Sequence, residues 1–155
     1  MNFFKIKNNN KEVFFSSDKE LFSTEAVKDY ALETGLITND SGNWEVYLIP
    51  SSEYCEHLVD KIYNTFSNEL ENIKQSWIGK SPDEICSMSY MATNISDVMN
   101  ALDNADASSF DFEVLENWLK VPKRMVDVIC NLITERDSSD YNETICSYFN
   151  QGMVV

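Results

Sequence analysis

His57 is the only histidine in the chain and the side chain best suited to acid–base or metal chemistry near neutral pH. Glu53 lies four positions before it and Asp60 three after, so on a helix the three share one face. Such a set can form an acid–base pair or begin a metal site, although one helix offers fewer ligands than a metal ion needs. The same spacing suits an ordinary solvated helix surface on which Glu53 and His57 pair, and that is the expectation. No serine has a base other than His57, and Cys55, two positions away, falls on another face. Cys55, Cys86, Cys130 and Cys146 are widely spaced with no CxxC pair, so free thiols are expected rather than a zinc site. The four glycines, Gly35, Gly42, Gly79 and Gly152, each stand where a turn or helix stop is wanted. None is left for a phosphate-cradling loop. No catalytic residue, metal ligand or cofactor is expected, and the chain reads as a non-enzyme.

Charge is more informative than any motif. Between Lys80 and Lys120 no basic residue occurs, while the same 39 residues hold Asp83, Glu84, Asp97, Asp103, Asp106, Asp111, Glu113 and Glu116. Five of these, from Asp103 to Glu116, fall within 14 positions that cross a junction between helices. Carboxylates three or four apart on a helix stand about 5–6 Å apart at the β-carbons. That is comparable to the spacing of phosphates along one nucleic-acid strand. Such a face can occupy a site built for nucleic acid, and it can steer a basic protein towards itself. Asp97, Asp103, Asp106, Asp111, Glu113 and Glu116 are therefore the candidate partner-binding residues. The plainer reading is a negative surface that only keeps the protein soluble. Against it stands the one-sided clustering, since a surface built for solubility usually intersperses the two signs.

The elements that must position these residues follow from hydrophobic periodicity. Residues 2–7 and 12–16 alternate around Asn8-Asn9-Asn10-Lys11, which reads as a β-hairpin. A helix is expected over about 18–34, capped by Ser17 or Asp18, with Leu21, Phe22, Val27, Tyr30 and Ala31 inward. Asn39-Asp40-Ser41-Gly42 forms a turn, and residues 44–49 form a third strand that Pro50 ends. Beyond Pro50 the period becomes helical. Leu58, Ile62, Phe66, Leu70, Ile73 and Trp77 form a stripe over 52–78. Ser81-Pro82-Asp83-Glu84 is a capping box with proline at the first helical position. The helix it opens runs to about 104, with room for a break near 91–94. Another starts at Ser108 or Ser109; Pro122 marks a kink or a new start, and the pattern continues to Arg136. A last helix, capped near Ser138 or Ser139, stops at Gly152. Trp44, Trp77 and Trp118 fall on apolar stripes and are expected in the core. Tyr47, Tyr90, Tyr141 and Phe110 are less clearly inward and are candidate interface anchors.

The whole chain of 155 residues carries 26 acidic and 12 basic side chains, a formal charge of −14. Its length suits one domain, and 43% hydrophobic residues are too many for a disordered acidic tail. The fold class expected is α+β: one small antiparallel sheet of about three strands from the first third, packed against five or six helices. Nucleic acid is disfavoured as a direct partner, because phosphate binding needs clustered Lys and Arg. An anionic membrane is disfavoured for the same reason. Met1–Lys7 contains no apolar run of signal-peptide length, and a cytoplasmic place is expected.

In composition the chain resembles the immunity proteins that neutralise toxins in bacterial competition, and phage-encoded inhibitors of host defence, which are also small, acidic and free of catalytic motifs. The resemblance covers no alignable motif. It implies a non-catalytic inhibitor that binds a basic protein, a toxin nuclease or another nucleic-acid-handling protein, and blocks its substrate site. The alternative is a helical regulatory or adaptor protein whose acidity only confers solubility. A smaller alternative is a metal protein or enzyme centred on His57. The oligomeric state is left open.

Overall fold

The computed structural model describes residues 1–9, 11–38, 43–134 and 141–152. The fold is α+β, with a three-stranded antiparallel sheet and six α-helices among those residues. It is organised as two compact units, residues 1–57 and 58–155.

In the first unit, β1 (Asn2–Lys7) and β2 (Glu12–Ser17) form the expected hairpin, with Phe4 opposite Phe15 and Ile6 opposite Val13. Asn8 shapes its turn: the Asn8 N–H donates to the Lys11 carbonyl, and Asn8 Oδ1 accepts from the Lys11 N–H, both at 2.9 Å. β3 (Glu45–Ile49) joins the other side of β1, giving the order β2-β1-β3. Phe4, Ile6 and Phe15 on one sheet face are buried with Val27 and Ala31 of α1 (Thr24–Glu33), and with Ile37 and Trp44. On the other face Phe14 stacks on His57 at 3.8 Å and Phe3 lies 5.0 Å from Tyr54, both from the first turns of α2 (Ser51–Ser76).

The α1 boundary differs from the expectation. The helix does not begin at Ser17 or Asp18 but at Thr24, because Ser23 is extended and its hydroxyl accepts from the Ala26 N–H. Phe22, expected inward, thus precedes the helix and stands 86% exposed. Gly35 ends α1 as expected: at φ 73° it lets the Leu36 N–H reach back to the Ala31 carbonyl at 2.9 Å. The expected turn at 39–42 lies outside the described residues.

The second unit is helical. α2 is followed by α3 (Pro82–Asp103), a 3-10 turn (Ala107–Ser109), α4 (Phe112–Leu119), α5 (Pro122–Thr134) and α6 (Tyr141–Asn150). The Ser81–Glu84 capping box is present in both directions, and α3 continues without a break through 91–94. Pro122 begins a new helix rather than kinking an old one. The caps expected at Ser138 or Ser139 lie outside the described residues. Ile95 and Val98 of α3, Leu115 and Trp118 of α4, Met125 and Ile129 of α5, and Ile145 and Phe149 of α6 are buried. Asn94, itself buried, donates to the Cys130 carbonyl at 3.2 Å and so ties α3 to α5.

The stripe of α2 is core for only part of its length. Leu58, Ile62 and Phe66 are buried, but Leu70, Ile73 and Trp77 are half-buried and Ile78 is exposed. Periodicity marked the stripe correctly and could not say where its cover ends. Trp77 is a correction for a second reason: its indole N–H is shielded from solvent and donates to no acceptor. Removing a shielded, unsatisfied donor recovers free energy that a smaller ring gives back as lost packing. Trp77→Phe should therefore change stability by less than about 1 kcal/mol in urea denaturation. A loss as large as that of a core tryptophan would mean that the N–H is satisfied.

Candidate functional site

The acidic stretch folds around a buried anchor. Phe110, read from sequence as a candidate interface residue, is inside, edge-on to Phe149 at 6.4 Å. On either side of it the backbone is held by Asn150 of α6: Asn150 Oδ1 accepts from the Asp111 N–H at 3.2 Å, and its amide donates to the Ser109 carbonyl at 3.4 Å. Trp118 closes the same corner by donating its indole N–H to the Phe149 carbonyl at 3.0 Å. The segment from the end of α3 to the start of α4 is thereby held to the core by Phe110 and Asn150, and the helix that follows it by Trp118 in its last turn.

The carboxylates surround this anchor. Asp103 ends α3 and is exposed. Asp106 caps the 3-10 turn, its Oδ1 accepting from the Ser108 N–H at 2.9 Å and the Ser108 hydroxyl at 2.7 Å. Asp111 caps α4 by accepting from the Glu113 N–H at 2.9 Å, and Glu113 lies in that helix's first turn. Asp106, Asp111 and Glu113 are exposed, so four carboxylates face solvent over 11 positions. Glu116, one turn further along α4, is half-buried. Asp97 is apart from them. It is half-buried and lies six residues before Asp103 on α3, about 9 Å along the axis and on another face.

Three of the four exposed acids have a local reason to exist. Asp106 and Asp111 satisfy helix-end N–H groups, and Asp111 and Glu113 sit at the positive end of α4, where negative charge is stabilising. The Ser108 hydroxyl, then the Ser108 N–H, holds the Asp106 carboxyl below the ordinary aspartate value. A carboxylate depressed in the folded state stabilises above its unfolded pKa, and that contribution is lost as pH falls through the folded value. The melting-temperature difference between wild type and Asp106→Asn should therefore shrink on acidification from about pH 6 to about pH 3. A difference that grows would reverse the sign of this assignment.

His57 does not lie on a solvated surface. It is half-buried on the ring of Phe14, and the Glu53 expected beside it is 3.9 Å from Lys5 Nζ. Asp60 is exposed. No group of three or more His, Cys, Asp and Glu side chains is placed to hold a metal ion among the described residues. The four thiols are free, and burial pushes Cys130 up to about 12. Tyr47 and Tyr90 are exposed as expected, while the side chain of Tyr141 lies outside the described residues.

Two features were missed in the sequence. Lys120, Lys123 and Arg124 form a basic elbow between α4 and α5, around a shallow depression of about 450 Å³ that they line with Val121, Pro122 and Asp127. α4 thus runs from an acidic corner to a basic one. The second is an apolar groove of about 430 Å³ on the first unit, beside Phe22 and Leu48. Charge counting over long windows hid the first, and placing Phe22 inside a helix hid the second. No helix is long and apolar enough to cross a membrane among the described residues. Compared with protein-family models, with curated proteins and with solved structures, the chain matches none.

Proposed function

We propose that this chain is a non-catalytic inhibitor that binds a basic, nucleic-acid-handling protein through the acidic corner at Asp103, Asp106, Asp111 and Glu113, with Glu116 beside them, and blocks its substrate site. A toxin nuclease or a defence protein of the cell is the partner this reading fits, and the cytoplasm is the place of action. One observation carries it: exposed carboxylates are gathered on a segment held by Phe110 and Asn150 and on the start of the helix held by Trp118. Pinned charges keep their spacing, so a partner meets a prearranged negative surface and fewer side chains must be ordered on binding. Electrostatic complementarity of this kind favours rapid encounter and correct register.

The test uses competition. The immobilised protein is exposed to a nucleic-acid-depleted lysate, and what is retained is challenged with duplex DNA. A partner held at its own nucleic-acid site should be displaced by DNA and by salt, and should not be retained by a variant neutralised at the acidic corner. Retention that ignores both DNA and the variant would sink the reading. It would favour the adaptor alternative, for which the exposed Ile78 and Tyr90 around the α2–α3 connection are the supporting observation.

A further inference from the structure

We propose that the outer edge of β3, with the groove between it and the start of α1, takes an extended segment of a basic partner protein as a fourth strand. The site lies wholly in the first unit and does not rest on the acidic corner of the second.

The sheet order β2-β1-β3 leaves β3 at an edge, and among the described residues it pairs only with β1. Alternate backbone N–H and C=O groups of such a strand point outward and can bond a further strand. Proteins usually blunt an edge with charges, proline or a bulge. β3 carries one charge, at its first residue Glu45, and then Val46-Tyr47-Leu48-Ile49. Leu48 is 71% exposed.

The groove lies on the same sheet face as Val46 and Leu48, which stand opposite Ile6 and Phe4. Phe4, Leu21, Phe22, Val27, Val46 and Leu48 line it. Phe22 precedes the Ser23 cap and Val27 follows four positions after it, the pair that commonly closes as a hydrophobic staple at a helix start. Here Phe22 is 86% exposed instead, so the groove stays open beside the free edge.

These two features together specify the occupant. Edge bonding selects an extended backbone, and an apolar groove on one face of the sheet selects apolar side chains at every second position. Charge selects the rest. Glu20 and Glu25 are exposed and next in sequence to the lining residues Leu21 and Thr24, and Glu45, also exposed, opens the strand. Of the nearby cations, Lys19 lies over the Tyr30 ring at 5.0 Å, Lys5 is 3.4 Å from Glu12, and Lys7 and Glu45 offset each other at 3.7 Å, so Glu20 and Glu25 make the acidic rim. Lys or Arg at the intervening positions of the incoming strand would complement that rim. A second copy of this chain would bring another charge of −14 and set the same carboxylates against each other.

The probe is a fluorescent seven-residue peptide alternating Lys and Val, compared with its counterpart methylated at every backbone nitrogen. The unmethylated peptide should bind in the micromolar range and the methylated one about tenfold or more weaker, since strand addition draws its affinity from main-chain bonds. Leu48→Lys and, independently, Phe22→Ser should each weaken binding by about tenfold while leaving the melting temperature nearly unchanged, as both side chains are exposed. Binding should also slow amide exchange within residues 45–49. Equal binding of the two peptides would overturn the proposal in favour of charge alone. Failure of both at millimolar concentration would overturn it too, as would a dimer of the free chain that Leu48→Lys dissociates.

Discussion

Neutralising Asp103, Asp106, Asp111, Glu113 and Glu116 together, as Asn or Gln, should slow association with a basic partner by about one to two orders of magnitude at low salt. The choice of replacement matters at two positions. Asp106 and Asp111 are caps, and asparagine still accepts the N–H bonds that alanine would leave unmade at a cost of about 0.5–2 kcal/mol each. Loss of charge at the start of α4 and relief of repulsion among the acids act in opposite directions, so stability should stay near that of the parent. At high ionic strength the kinetic gap should narrow, because screening removes the long-range attraction for both proteins. The measurement is surface-bound kinetics against the partner at two salt concentrations. The matched control neutralises Asp29, Glu33, Glu56, Asp60 and Glu71, all exposed and all outside the acidic corner. Equal slowing by both sets would show that net charge matters and location does not.

Trp118→Ala should destabilise by about 3–5 kcal/mol, against a total for such a protein of about 5–15 kcal/mol. Trp118 is 1% exposed, packs edge-on against Phe149 at 6.4 Å and spends its only polar hydrogen on the Phe149 carbonyl. Alanine removes the packing, the bond and the hold on the helix that follows the acidic segment. Trp118→Phe separates these, because it keeps most of the bulk and loses the donor. A loss of about 1–3 kcal/mol is expected for it. If the proposed function is right, Trp118→Phe should also weaken partner binding more than its effect on folding explains, since the charges would be less firmly held. Melting within a few degrees of the parent for Trp118→Ala would contradict the packing described above.

Several elements were legible because their signals are local. The Ser81–Glu84 capping box, the stop at Gly35 and the hairpin around Asn8 each depend on residues within a few positions of one another. The class of the fold followed from the change of period at Pro50. What failed was of a different kind. Nothing near Leu70, Ile73 and Trp77 distinguishes them from Leu58, Ile62 and Phe66, because cover comes from distant parts of the chain. Phe22 was misplaced because Ser17, Asp18 and Ser23 are all acceptable caps, and the backbone chose the last. The acids were found by counting, but the residues that make them a fixed surface are Phe110, Asn150 and Trp118. Their roles are tertiary. His57 was expected on a solvated helix surface, but it is half-buried against the ring of Phe14, a strand residue more than forty positions away that no local pattern connects to it.

The position of β1 at the centre of the sheet has a consequence during synthesis. β1 and β2 are neighbours in sequence and can close as a hairpin within about 1–10 μs of emerging. β3 ends 32 residues after β2, so at about 5–20 residues per second its arrival takes roughly 2–6 s more. For that interval the strand destined for the middle is itself an open edge, in a segment rich in phenylalanine. Lys5 and Lys7 lie on it; Lys5 has Glu12 of β2 3.4 Å away, but Glu53 and Glu45 reach the two lysines only in the finished fold. Until then they act as gatekeepers, charges that discourage one nascent chain from pairing with the next on a crowded polysome.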